Sequence, residues 1–280
     1  MRSRGTFRFW KRAPSFTIGL TFRFADYTSD AGTEAAALKT IDLTHAAAHS
    51  AALSAGAVAV IAAPVYGGHV APTAAKRLET LRGSGTPAVV IAVYGNRAFE
   101  KAAAELAALA ARQGFVPVAA AAFVGEHSYS TPETPVAAGR PDAQDLARAA
   151  EFGAAVRKKL AAGTPAPVDA AKLKDVHTPL VPMLRFIRFV VGYRRRQKKN
   201  PVVYLPACDA DRCTHCGRCA AICPTQAIAR GDEAHTDPAR CIRCCACVKG
   251  CPVGARSFHT PFAAALARSF TRRKQPVTIL

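Results

Sequence analysis

Residues 213–224 read CTHCGRCAAICP, and residues 241–252 read CIRCCACVKGCP. In each copy the cysteines stand at positions i, i+3, i+6 and i+10, and a proline directly follows the last one. The two copies lie 28 residues apart in register, with 16 residues between them. The C-terminal third of the chain is therefore organised around an internal repeat.

This cysteine spacing is that of the iron–sulfur run in bacterial ferredoxins. Three thiolates spaced three residues apart in a tight loop can reach three corners of one cube. The fourth is carried past that cube, and the proline then turns the chain away. In two-cluster proteins of this type the fourth thiolate binds the other cluster. The spacing predicts two [4Fe-4S] clusters with these ligands: Cys213, Cys216, Cys219 and Cys251 for the first, and Cys241, Cys244, Cys247 and Cys223 for the second.

Zinc and disulfides are the two alternatives for a cysteine-rich segment. Zinc sites usually pair two short CxxC units, and a duplicated run of three ligands plus a fourth before proline does not suit one tetrahedral ion. Disulfides require an oxidising compartment, and the N-terminus shows no export signal.

Two further cysteines fit neither set: Cys208 precedes the first run, and Cys245 stands where the first copy has Gly217. Both are expected to be free or buried thiols.

The composition is strongly basic, with 38 Lys and Arg against 19 Asp and Glu and a net charge of +19 among 280 residues. Such a charge is compatible with an acidic protein partner, an anionic membrane surface or a nucleic acid. No apolar run reaches the roughly 18 residues that a membrane-spanning helix needs. We therefore expect a cytoplasmic protein without a transmembrane segment.

The first 160 residues alternate apolar strands with amphipathic helices. Residues 57–65, 88–94 and 115–124 are continuous apolar runs, which are typical of central parallel strands covered on both faces. Helices are predicted after Pro72 and after Asp142, which is a suitable N-cap residue. This alternation predicts an α/β fold with a doubly wound, flavodoxin-like parallel sheet.

Two similar loops follow buried strands at the edge where such sheets bind ligands. One reads PVYGG from Pro64 and the other reads VYGN from Val93. A flavin would use the tyrosines as flat walls, the glycines for close backbone approach and the asparagine as an amide partner. Equally, Tyr-Gly at the end of a strand can be ordinary turn chemistry. The candidate FMN-binding residues are Tyr66, Gly67, Gly68, Tyr94, Gly95 and Asn96.

The chain resembles ferredoxins that are fused behind a flavodoxin-like domain. The resemblance covers residues 40–280 and rests on PVYGG, VYGNRAFE, EHSYSTPETPVAAGRPD, the doubled cysteine run and the closing FTRRKQPV. It implies electron transfer, with FMN as a second carrier.

The first loop departs from the pattern, because Asp30 and Glu34 stand where flavodoxins cradle the FMN phosphate with hydroxyls. Only about seven residues then precede the next strand, too few for a crossover helix. FMN is therefore the less favoured alternative.

The predicted organisation has five parts. These are a basic tail at 1–15, a flavodoxin-like domain at 16–161, a proline-rich basic linker at 162–205, a two-cluster ferredoxin domain at 206–260, and a C-terminal helix and tail at 261–280.

The linker contains PMLRFIRFVVGYRRRQKK from Pro182. We expect it to be a strap, with its apolar residues packed between the domains and its bases in water. As a helix it could instead lie on an anionic membrane or bind nucleic acid. The residues expected to pack are Leu184, Ile187, Phe189 and Val191, and those expected to face water are Arg194, Arg195, Arg196, Lys198 and Lys199.

These features predict an electron-transfer protein or a small oxidoreductase component. The N-terminal domain shows no recognisable nucleophile, acid-base pair or metal ligand set. Bases near the clusters would steer a redox partner that has an acidic docking face, and no nucleic acid is expected. The alternative is a redox-sensing or cluster-stabilised binding protein whose basic linker contacts nucleic acid or an anionic membrane surface.

Overall fold

The computed structural model describes residues 19–23, 38–45, 51–163 and 165–280. The predicted basic tail at 1–15 and the loop containing Asp30 and Glu34 lie outside these residues. The strands are β1 (Gly19–Arg23), β2 (Leu38–Asp42), β3 (Ala51–Leu53), β4 (Val58–Tyr66), β5 (His69–Val70), β6 (Leu81–Gly83), β7 (Thr86–Tyr94), β8 (Phe115–Val124), β9 (Ala207–Cys208), β10 (Arg256–Ser257) and β11 (Val277–Ile279). The helices are α1 (Pro72–Leu78), α2 (Ala102–Arg112), α3 (Ala143–Ala161), α4 (Leu180–Lys199), α5 (Arg218–Ala221), α6 (Ala246–Lys249) and α7 (Pro261–Ser269), with a 3-10 turn at Ala170–Lys172.

Within the described residues, seven strands form the main sheet, in the order β2-β1-β4-β7-β8-β11 with β5 paired to β4. Strands β4, β7 and β8 are parallel and central, as their continuous apolar sequences predict. Helices α1 and α2 cover one face of the sheet, and α3 covers the other. The predicted α/β architecture with helices on both faces is therefore present.

The edges of the sheet differ from the expected parallel arrangement. Strand β1 runs antiparallel to both β2 and β4, and β11 runs antiparallel to β8. An antiparallel pair needs no crossover helix, which agrees with the short spacing between the first loop and β2. The sheet is consequently mixed, and its parallel part is limited to three strands in the described residues.

Local signals set the starts of α1 and α3. Asp142 caps α3 by accepting the N–H of Gln144 at 3.0 Å and that of Asp145 at 3.1 Å, and Asp145 accepts the N–H of Asp142 in return at 3.0 Å. This is a reciprocal capping box. Helix α1 begins at Pro72 as predicted and ends at Leu78; after a two-residue turn the chain forms β6, which pairs with β3.

The linker holds the 20-residue helix α4, which packs against α7. Phe186 lies against Phe270 and Phe189 lies against Phe262, each pair with ring centroids 5.0 Å apart. The predicted strap is wrong for three of its four apolar residues: Leu184, Ile187 and Val191 are exposed. They lie on the other side of the helix from the aromatic residues that contact α7. The predicted exposure of Arg194, Arg195, Arg196, Lys198 and Lys199 is confirmed.

After α7 the chain returns to the main sheet and adds β11 to its edge. The predicted C-terminal helix is thus confirmed, and its tail becomes part of the N-terminal domain. No helix in the described ranges combines the length and apolar character needed to cross a bilayer.

Candidate metal centre

The sequence repeat is also a repeat of backbone conformation. Helices α5 and α6 stand in the same place of the two copies, each following a residue in the left-handed region. That residue is Gly217 with φ 69° in the first copy and Cys245 with φ 59° in the second. His215 and Arg243 are a second left-handed pair in the same register. Cys245 thus occupies a turn position for which glycine is the usual residue, and its thiol is buried.

The first predicted ligand set surrounds one cavity. This cavity encloses about 310 Å³ of empty volume, part of it open to solvent. Cys251, from the second copy, lines this cavity together with the three cysteines of the first copy. The predicted exchange of fourth ligands between the two copies requires this arrangement. The cysteines that line the cavity are Cys213, Cys216, Cys219, Cys251 and Cys208.

The second predicted set is more deeply buried. Burial raises the pKa of Cys241, of Cys244 (to about 11) and of Cys247 (to about 12). The nearby Cys223 sulfur adds to the increase at each of the three. Cys223 is therefore close to all three, although it belongs to the other copy. Without a metal these sulfurs hold their protons at neutral pH, so metal binding must displace them.

The fourth cysteine of each run has an equivalent hydrogen bond. Ala227 donates its N–H to Cys223 Sγ and Ala255 donates its N–H to Cys251 Sγ, both at 3.2 Å. Burial alone would raise the pKa of Cys251, but backbone N–H groups, that of Ala255 foremost, outweigh it and lower the pKa. Donors of this kind stabilise negative charge on cluster sulfurs.

The arrangement of the first set is compatible with an iron–sulfur cube. A cube binds each thiolate through a different iron, so its ligands surround a volume instead of meeting at one ion. The cavity between Cys213, Cys216, Cys219 and Cys251 is such a volume. Within the part of the chain that the structure describes, no three His, Cys, Asp or Glu side chains are placed to share a single metal ion.

Comparison with known families agrees with this geometry. Residues 205–259 match the model of the 4Fe-4S dicluster domain. They form a ferredoxin-type iron–sulfur module, and this dicluster domain supports electron transfer. The match covers about a fifth of the chain. No curated protein and no solved structure that was compared matches the chain.

Arg256 is a cavity residue that sequence reasoning missed. It is 4% exposed and donates to the Glu233 carbonyl at 2.5 Å, to the Pro206 carbonyl at 3.2 Å and to the Thr236 hydroxyl. These partners carry no charge at the contacting atoms, and its Nε has no hydrogen-bond partner. Arg256 lies in β10, outside both runs, so no motif identifies it.

Arg256 acts electrostatically on both cysteine sets. Burial raises the pKa of Cys219 and Cys247, and the guanidinium partly reverses that increase at both. A cation near both cysteine sets would stabilise added negative charge on a cluster bound by either set.

The predicted flavin site contains an asparagine that the chain itself has already bound. Asn96 is 2% exposed, and its Nδ2 donates to the carbonyls of Phe270 at 2.8 Å and Arg272 at 3.0 Å. Its Oδ1 accepts the N–H of Lys274 at 3.2 Å. The amide therefore anchors the segment between α7 and β11, and no hydrogen-bonding face is left for a flavin.

Three of the other candidate flavin residues, Tyr94, Gly95 and Gly68, are also in internal contacts. Tyr94 is buried and packs edge-on against Phe99, with ring centroids 5.5 Å apart. Gly95 lies so close to the His127 ring that a Cβ would stand 2.4 Å from it. Likewise, a Cβ on Gly68 would stand 2.2 Å from a Glu100 oxygen, and Gly67 is an exposed turn residue with φ 61°. Tyr94, Gly95 and Gly68 do not fit FMN, because side chains of the chain itself fill the space beside them.

The dicluster domain docks at this same edge of the sheet. Tyr66, at the end of β4, is close to Cys244: burial raises the pKa of its hydroxyl strongly, and Cys244 adds to the increase. Arg77 donates to the carbonyl of Pro224 at 2.5 Å.

Lys249 and Tyr129 complete the contact between the two domains. Lys249 binds Glu126 at 2.9 Å and the Ser130 carbonyl at 2.7 Å. The Tyr129 ring lies 5.2 Å from that of Phe258. The carboxyl edge of the sheet thus serves as a docking surface for the second cysteine set.

Proposed function

We propose that this protein transfers electrons through two [4Fe-4S] clusters, as a carrier or as a small oxidoreductase component. The proposal rests on one observation: the fourth cysteine of each run lies with the first three of the other run. The proposed ligands are Cys213, Cys216, Cys219 and Cys251 for the first cluster and Cys241, Cys244, Cys247 and Cys223 for the second.

Such clusters, when bound, supply one-electron transfer and no substrate specificity of their own. The chain would hold each cube by four thiolates and limit solvent access to it. Backbone donors at Ala227 and Ala255 and the buried Arg256 cation would favour the more negative reduced state.

The two cysteine sets differ in exposure, and this difference supports a proposal for which cluster meets an external redox partner. In the first set Cys216 is exposed, whereas in the second set Cys244 and Cys247 are buried. We infer that an external redox partner meets the first cluster, while the second faces the N-terminal domain. Exposed bases and three exposed acids both lie around the first run, so the net charge of +19 on the whole chain is what supports a partner with an acidic surface. These bases are Arg212, Arg218 and Arg230.

The direct test is iron, sulfide and flavin analysis of protein purified without air. We expect about eight irons and eight sulfides per chain, no flavin, and a reversible paramagnetic signal after reduction by a low-potential donor. Colourless protein without sulfide, or stoichiometric zinc, would overturn the proposal. One FMN per chain would refute the assignment of Asn96 and its neighbours to internal packing.

Paired substitutions test the crossed ligand sets. Replacing both Cys219 and Cys251 by alanine should leave about four irons, because both would serve the same cluster. Replacing Cys219 and Cys223 should remove both clusters. The reverse pattern would show that each run holds its own cluster. Cys245→Ala is the matched control, and it should keep all eight irons.

A further inference from the structure

Helix α4 exposes an apolar stripe to solvent. Leu180, Leu184, Ile187 and Val191 follow one another at spacings of four, three and four residues, which places them on one helical face. Their exposures are 68%, 53%, 48% and 42%, and that of the adjacent Val181 is 66%. A contiguous apolar stripe of this kind usually marks a binding surface.

This stripe is not the side by which α4 joins the protein. The opposite side carries Phe186, Phe189 and Tyr193, which pack on α7; the Tyr193 ring lies 4.9 Å from that of Phe262. The helix is therefore already held in place, and its outward side remains available.

The charges of α4 are all of one sign. The helix contains no Asp or Glu and carries seven bases. Arg188 is exposed beside the apolar stripe, whereas Arg185 donates to the Arg268 carbonyl of α7 at 3.1 Å. Four more bases continue the outward side of the helix in its last turns. These four, all exposed, are Arg194, Arg195, Lys198 and Lys199.

We propose that the outward side of α4 docks this protein on the surface of an anionic lipid bilayer. The apolar stripe would enter the boundary between headgroups and acyl chains, and the bases would contact lipid phosphates. The long stem of Arg188 allows its guanidinium group to reach the headgroups beside the buried stripe. The helix, about 30 Å long, would lie in the surface and not cross it.

Charge decides against two other occupants, and the apolar stripe decides against a third. A second copy would bring seven bases of its own against the same seven, with no acid on either helix. The N-terminal segment 1–15 carries five bases and no acid, so it would be repelled as well. A nucleic acid would satisfy the bases but leave the five apolar side chains in water. An anionic bilayer satisfies both.

The test is vesicle flotation of the full-length, cluster-loaded protein at physiological salt. Phosphatidylcholine vesicles that contain phosphatidylglycerol are compared with vesicles of phosphatidylcholine alone. We expect binding to the anionic vesicles and a loss of about tenfold or more in the triple variant Leu184→Gln, Ile187→Gln, Val191→Gln. These side chains are exposed, so the change leaves the packing on α7 intact.

A pair of charge variants tests the electrostatic part. Replacing Arg194, Arg195, Lys198 and Lys199 by Gln should also weaken binding about tenfold or more. The matched control replaces four exposed bases elsewhere, and it should bind like the unmodified protein. These are Arg112, Arg157, Lys158 and Lys172.

Several outcomes would overturn the proposal. The first is no binding to anionic vesicles, or equal binding to neutral ones. Another is unchanged vesicle binding in the apolar triple variant, which would mean that only net charge acts. A third is a dimer in light scattering that the triple variant abolishes, since the stripe would then be covered by a second copy. Tight oligonucleotide binding that depends on the four bases and not on the stripe would assign the surface to nucleic acid. Iron content is unaffected by any of these results, so they test docking independently of electron transfer.

Discussion

Substituting Asn96 by alanine tests whether the predicted flavin residue is a structural anchor. The substitution removes three hydrogen bonds and leaves the carbonyls of Phe270 and Arg272 and the N–H of Lys274 without their partner. At about 1 kcal/mol for each lost hydrogen bond, the segment between α7 and β11 should be destabilised by about 3 kcal/mol. This corresponds to a change of roughly 100-fold in the equilibrium for local opening.

Hydrogen–deuterium exchange measures this opening directly. Amides of β11 and of the segment between α7 and β11 should exchange about 100-fold faster in Asn96→Ala. Asn200 is the matched control, because it is exposed at the end of α4 and its substitution by alanine should leave exchange in β11 unchanged. Unchanged exchange in Asn96→Ala would refute the anchoring role. A loss of bound flavin in this variant would restore the flavin hypothesis.

Three further predictions concern charge and protonation. Arg256→Gln should lower the reduction potentials of the clusters by about 50–100 mV, as expected for a unit charge at roughly 10 Å and an effective dielectric constant of about 20. Redox titration measures this shift, and Arg256→Lys should largely restore the potentials. Burial, together with Arg97 and Lys249, lowers the pKa of His127 from 6.5 to about 4. The unfolded chain therefore binds more protons between these values, and stability should fall by about 2 kcal/mol from pH 8 to pH 5. Denaturant titrations should show this loss in the natural chain and not in His127→Asn, which keeps an acceptor for the Tyr129 N–H. Finally, Lys249→Met should weaken the contact between the two domains by about 1–3 kcal/mol and speed proteolysis near Ser130. Equal cleavage rates in the variant and in the natural chain would contradict the docking contact.

Features that depend on neighbouring residues in the chain were predictable. The cysteine spacing, the proline after each run and the 28-residue register indicate the iron–sulfur module, because a ligand loop of this kind is set by local geometry. The continuous apolar runs of β4, β7 and β8 indicate central strands for a similar reason. Asp142 marks the start of α3 because its cap bonds reach only two and three residues ahead.

Pattern alone could not decide which surface each side of a helix meets. The apolar residues of α4 were expected to pack between the domains, yet its aromatic side meets α7 and Leu184, Ile187 and Val191 face water. Both sides are apolar, so hydropathy does not distinguish the buried side from the exposed one.

The sequence by itself indicated the iron–sulfur chemistry, the central strands and the starts of α1, α3 and α7, since these follow from interactions over a few residues. Only the tertiary structure decided that Asn96 holds a segment about 174 positions away and that Arg256 lies near both cysteine sets. It also decided that the dicluster domain docks on the carboxyl edge of the sheet. Such contacts join parts of the chain whose separation carries no periodic signal, and they form only when whole elements pack.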